Sequence, residues 1–156
     1  MALTTPLIKG GITCTEVLDD DTLSATAKSV QHTLFDESVT PSPATVFSGD
    51  VYALSTGAKT IDLRTAYTVG GGSADGNGLK VQGFFFKNLG ANPMTITVGA
   101  SNGYTILGTA GLAIVPAGGW LAGYHADASA DVSDSVKTID VSGTGSQTFE
   151  FAVIMG

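Results

Sequence analysis

From Val30 onward apolar and polar residues alternate with a period of two, broken at intervals of roughly 8–12 residues by glycine, proline or asparagine. Gln31-His32-Thr33-Leu34-Phe35 runs to Val39, and Pro41 and Pro43 then stop any ladder. Ala44 to Leu54 alternates Val46, Ser48, Asp50 and Tyr52 against Phe47, Val51 and Ala53, Gly57 turns the chain, and Lys59 to Leu63 follows as a short strand. Leu79 to Leu89, with Phe84-Phe85-Phe86 at its centre, is expected to be a strand buried on both faces. Met94–Val98, Tyr104–Leu107, Leu112–Val115, Trp120–His125, Val136–Val141 and Thr148–Met155 complete the series; the last puts Phe149, Phe151, Val153 and Met155 on one face and Glu150 on the other. No stretch after Val39 shows a helical stripe. Eight to ten short strands at this spacing predict an all-β fold, a single antiparallel β-sandwich with a jelly roll as the leading architecture. Spacing alone does not give strand order.

The first 28 residues read differently. Leu3, Leu7, Ile8, Ile12, Val17 and Leu18 are scattered, and Asp19-Asp20-Asp21 interrupts them. The expectation is an irregular N-terminal arm over residues 1–28, with room for one short strand, leading into a sandwich over 29–156. A short helix near Thr22 to Val30 is also open, since Asp21 can cap it. Gly70 to Gly78 reads as a flexible loop. One echo stands out: Ala58-Lys59-Thr60-Ile61-Asp62-Leu63 recurs as Val136-Lys137-Thr138-Ile139-Asp140-Val141. Duplication is one reading, and a convenient short strand with polar flanks is the other.

Composition narrows the partners. Only 13% of residues are charged and 43% are hydrophobic, so Thr, Ser, Gly and Asn must carry the solvated faces. A net charge of −7 repels phosphate backbones and anionic lipid, so neither nucleic acid nor a membrane is an expected partner. No window reaches the run of about 18 apolar residues that a membrane-spanning helix needs. Met1 to Gly11 lacks the charged start and apolar run of a secretory signal. The single Cys14 excludes an internal disulfide.

Chemistry finds little purchase. His32 and His125 are isolated, and only Asp127, two residues past His125, offers a second metal ligand on the same strand face. No Gly-x-Ser-x-Gly motif is present, and Cys14 lies in the arm without a base beside it. The Gly70–Gly78 loop lacks a Gly-Lys-Ser/Thr ending, and Asp75 with Asn77 is only a fragment of a calcium loop. No catalytic, cofactor or metal residue is singled out, so a binding or structural module is expected rather than an enzyme. Trp120 and Tyr124 lie four apart on one strand and share a face. That pair suits a sugar-stacking platform, a subunit interface or plain core packing.

From about Val46 the chain resembles small virion proteins encoded in the structural gene block of tailed bacteriophages. The resemblance rests on Thr60-Ile61-Asp62-Leu63, on Gly78-Leu79-Lys80-Val81-Gln82 with Phe86-Lys87-Asn88 and Asn92, on Asn102-Gly103-Tyr104, on Pro116-Ala117-Gly118-Gly119, and on Lys137-Thr138-Ile139-Asp140 with Gly143 and Gly145. It implies a capsid decoration, or cement, protein of the jelly-roll type, homotrimeric, without cofactor, bound to the major capsid protein on the virion surface. In that setting Leu3, Leu7, Ile8 and Ile12 of the arm would contact the capsid. A carbohydrate-binding jelly roll, or another virion component of the tail or fibre base, is the alternative.

Overall fold

The computed structural model describes residues 7–18, 28–42, 44–68, 72–125 and 129–156. They contain twelve strands and no helix, and form two units, a hairpin unit (Leu7–Thr40) and a body (Pro41–Gly156).

The body is an antiparallel sandwich. Its strands are β3 (Val46–Ala53), β4 (Ala58–Asp62), β7 (Val81–Asn88), β8 (Met94–Val98), β9 (Leu112–Val115), β10 (Trp120–Tyr124), β11 (Thr138–Ser142) and β12 (Thr148–Met155). One sheet runs β10-β7-β12-β3 and the other β4-β11-β8-β9. The links β3–β4, β7–β8, β9–β10 and β11–β12 each pass from one sheet to the other over at most five residues. Four or five residues reach roughly 13–18 Å, enough to cross the roughly 10 Å between stacked sheets but too little to cross and also travel the sheet's width. The strands therefore stack in columns: β10 over β9, β7 over β8, β12 over β11, β3 over β4. Eight strands linked this way make the jelly roll expected from the alternation.

The inward positions meet in one core of Phe86, Phe149, Phe151, Ile61, Ile96, Ile139, Val141, Met94 and Met155, each almost fully buried. Burying one such side chain stabilises by about 1.5–3 kcal/mol relative to exposure. Phe86 and Phe151, opposite each other in the β7–β12 ladder, hold ring centroids 4.7 Å apart. Two departures from the alternation matter. Phe84 and Phe86 point inward, but Phe85 turns outward and is only half-buried, so β7 is not covered on both faces. Tyr104–Leu107 is not a strand; Tyr104 and Ile106 are core residues carried by the link between β8 and β9. Buried Asn88 fixes one end of the sandwich. Its amide nitrogen donates to the carbonyls of Asn92, Val115 and Pro116, and its oxygen accepts from Gly90 N–H, joining the β7–β8 and β9–β10 links.

The echoed segments are neighbours. β4 and β11 pair antiparallel with Ile61 opposite Ile139, Thr60 opposite Asp140 and Asp62 opposite Thr138. Thr60 Oγ1 donates to Asp140 Oδ1 at 2.6 Å, and Lys137 Nζ lies 3.0 Å from Asp62. A Thr-Ile-Asp segment facing its own reverse puts each threonine against an aspartate, which gives the repetition a cross-strand reason.

Beside the body's β3 lies the small hairpin β5 (Ala66–Thr68) and β6 (Gly72–Ala74), so part of the predicted Gly70–Gly78 loop is strand. The N-terminal unit departs most from expectation. Residues 8–18 form a strand, β1 (Ile8–Leu18), paired with β2 (Lys28–Val39) throughout its length with one register shift between Ile12 and Thr13. The expected boundary at residue 28 thus falls where β2 begins. Of the helix considered over Thr22–Val30, residues 28–30 are strand and the rest lies outside the described residues.

Candidate functional site

Strand parity divides the sheet β10-β7-β12-β3 into a core face and an outer face. Trp120, Ala122 and Tyr124 of β10, Phe85 and Lys87 of β7, Glu150, Ala152 and Ile154 of β12, and Phe47, Gly49 and Val51 of β3 share the outer one. It is mostly apolar. Trp120 is 66% exposed, Val51 54% and Tyr124 42%. Phe85 stacks against Trp120 with centroids 6.4 Å apart, and a shallow depression of about 330 Å³ opens between Phe47, Val51, Phe85 and Ala152. Its charges are Lys87 and Glu150, 3.9 Å apart across the β7–β12 ladder and half-exposed, a pair worth about 0–1 kcal/mol. The outer face of the other sheet presents Thr60, Thr95, Thr97, Asp140 and Ser142 instead, with apolar exposure confined to Leu112 and Ile114 on β9. One broad side of the sandwich is sticky and the other is wet.

Of the three readings open for Trp120 and Tyr124, core packing is excluded by this exposure. Phe85, Phe47, Val51, Leu112 and Ile114 were not singled out from sequence. The parity of β7 carried the signal for Phe85, since two of three consecutive phenylalanines cannot share a face with the third. Leu3 lies outside the described residues, as does the side chain of Ile12. Leu7 is exposed, and Ile8 opens β1 opposite Val39, both half-buried. The register places Ile12 opposite Phe35 and Cys14 opposite His32.

Arg64 bridges Asp75 and Asp134. Asp75 accepts from Asn77 N–H and from Arg64 Nε at 3.3 Å; these bonds, the backbone one first, hold its carboxyl below the usual range. Arg64 also pairs with Asp134, and the bond to Asp75 foremost raises the guanidinium pKa. The calcium-like fragment is thus a latch closed by an arginine. His125 is half-buried with its ring 5.5 Å from Phe84, and Asp127, its suggested co-ligand, lies outside the described residues. Among the described residues no three His, Cys, Asp or Glu side chains group as metal ligands.

No family model and no curated protein matches the chain. A solved structure, of Bacillus endospore appendages described as forming a family of disulfide-linked pili, is similar over 70% of this chain and 82% of that one, at 18% identity and a TM-score of 0.43. Function is therefore read from the surfaces themselves.

Proposed function

We propose that the chain is a structural virion protein that binds the outside of a phage capsid and stabilises it. The carrying observation is its two-part construction. The body closes its own core, whereas β1 and β2 form a two-stranded ribbon eleven register pairs long, with no third strand among the described residues. Such ribbons are marginal in water unless they dock on something. A completed jelly roll joined to a ribbon without a third strand among the described residues suits a module that anchors by one unit and displays the other. Repetition on a shell lattice makes weak single contacts sufficient. The resemblance of residues 46–156 to small phage virion proteins supports the same reading, and the capsid-contact role of Leu7, Ile8 and Ile12 extends to the whole ribbon. The reading assigns no catalysis.

The test adds the purified protein to empty shells of the major capsid protein of the same phage and measures bound copies by sedimentation. The wild-type chain is expected to saturate the shells and raise their melting temperature. Ile8→Asp with Val39→Asp, a pair facing each other at the ribbon's base, is expected to lower occupancy at least tenfold. Saturation by that variant at wild-type concentration overturns the reading.

A second reading, carbohydrate binding, is favoured by one observation: Trp120 and Tyr124 stand exposed on one flat face with Phe85 stacked beside the indole. Trp120 is the sole tryptophan, so a sugar panel followed by its fluorescence reads this site directly. Silence across the panel removes the reading.

A further inference from the structure

We propose that β10 pairs antiparallel with β10 of a second copy about a twofold axis at Ala122, extending the β10-β7-β12-β3 sheet across the dimer. The inference goes beyond capsid attachment and does not depend on it.

The two edges of the sandwich differ. At the β3/β4 edge, the β5–β6 hairpin lies against β3: Ser48 Oγ donates to Tyr67 O at 2.6 Å, and Tyr67 N–H donates to the Tyr52 hydroxyl at 3.0 Å. Lys59 sits 5.8 Å from the Tyr52 ring centroid, and Asp50 and Asp62 add charge. These are the devices that keep sheet edges from pairing. The β9/β10 edge has none among the described residues. Leu112-Ala113-Ile114-Val115 and Trp120-Leu121-Ala122-Gly123-Tyr124 contain no charged residue, and neither strand has an outer neighbour among the described residues. Four of the large apolar side chains left exposed, Leu112, Ile114, Trp120 and Tyr124, flank this edge.

The occupant follows from the pattern of β10. Asn88 N–H donates to Gly119 O, and His125 N–H donates to Gln82 O. The odd positions 119 to 125 therefore turn their backbone groups toward β7, and the alternation leaves those of Trp120, Ala122 and Tyr124 facing the open edge. An antiparallel second β10 centred on Ala122 uses all three. It sets Trp120 against the partner's Tyr124, Ala122 against the partner's Ala122, and Leu121 against the partner's Gly123. Aromatic meets aromatic at both ends of the outer face, small meets small on the axis, and large meets absent side chain on the core side. Centring on Leu121 or Gly123 forfeits one of the three positions. A strand that complements its own reverse fits an isologous interface, in which each residue's contact is returned by its copy. Charge points the same way: copies of a protein with net charge −7 approach most easily where charge is missing. The same axis brings β9 beside its copy, where Leu112 and Ile114 add apolar contact.

Two short strands bury less than a standard interface of about 1,600 Å², so a reversible dimer with micromolar dissociation is expected. Sedimentation velocity from about 1 to 200 μM should show wild type passing from monomer to dimer, with a blue shift of Trp120 emission over the same range. Ala122→Lys places two ammonium groups face to face on the axis, at an exposed position, and should weaken dimerisation at least tenfold without changing the melting temperature. Should that variant fail to fold, Cys14→Ser with Ala122→Cys tests the register separately. Hydrogen-bonded antiparallel pairs hold their Cα atoms about 5.5 Å apart, within disulfide reach, so mild oxidation should give a covalent dimer. Wild type that stays monomeric at 200 μM, a trimer indifferent to Ala122→Lys, or a cysteine variant that does not cross-link overturns the proposal.

Discussion

At the residue scale, backbone conformation marks one position where the chain is not at its optimum. Thr56 and Gly57 both have positive φ, 52° and 86°, between Ser55 and Ala58, whose N–H and C=O groups bond to each other in both directions. This is a turn that wants φ > 0 at both central residues, and asparagine followed by glycine is its preferred pair. Glycine is in place, but a β-branched threonine occupies the position asparagine favours, at a steric cost of order 1 kcal/mol. Thr56→Asn should therefore raise stability by about 0.5–1 kcal/mol, read as a melting temperature about 2–4 °C higher. A lower melting temperature would show that the threonine is not strained. The left-handed conformation of Thr56 was not legible in the sequence, because Ser-Thr-Gly carries no asparagine or aspartate to announce it. The Thr-Ile-Asp echo was visible, but its reason was not: only the β4–β11 register shows that the repeat is a strand facing its own reverse.

At the scale of elements, alternation located most body strands closely and failed where a link does a strand's work. Met94–Val98, Leu112–Val115 and Thr148–Met155 are strands with the bounds the pattern predicts. Tyr104–Leu107 has the same texture but serves as a plug: Tyr104 donates from its hydroxyl to Ala130 O at 2.7 Å and accepts from Val81 N–H at 3.0 Å, tying the β8–β9 link to β7. Burial, the leading cause, raises the Tyr104 phenol above its ordinary value of 10.0, and does the same to Tyr52. A raised folded-state pKa means the native protein holds the phenolic proton more tightly than the unfolded chain. The stability this contributes is complete below the unfolded pKa, near 10, and is lost as pH climbs through the folded value. Alkaline unfolding should begin above about pH 10, with part of the tyrosinate absorbance appearing only as the β-sheet signal is lost. Tyr104→Phe removes the acceptor for Val81 N–H, so it should cost about 1–3 kcal/mol at neutral pH and flatten the alkaline transition. A variant whose alkaline transition is as steep as wild type would show that the Tyr104 proton is not the linked one.

For the whole molecule, periodicity spoke about faces and kept silent about partners. An alternating strand announces which residues go inward, so the jelly-roll core was legible; whether the outward set meets water or another protein depends on what lies beyond the chain, and Trp120, Phe85 and Val51 look alike in either case. The ribbon was hidden for a local reason. Its register shifts between Ile12 and Thr13, where the partners step from Phe35 to Thr33 and leave Leu34 as an extra residue in β2, so the period of two is broken along β2. Gly10 and Gly11 weaken the strand signal further. The two units also differ in what holds them. β7 and β12 each have strand neighbours on both sides and side chains packed into a shared core, whereas β1 and β2 pair only with one another among the described residues. Local opening free energy follows such support, so hydrogen exchange should separate the units in the isolated protein. Amides of β1 and β2 are expected to exchange at least about 100-fold faster than those at the centre of β7 and β12. Under the proposed capsid attachment the ribbon should gain protection on shells while the body's central strands keep theirs, because docking would add a layer to its two strands. Ribbon amides as slow as the core in the free protein would mean the hairpin is already supported, and the physical case for an external anchor would then fail with it.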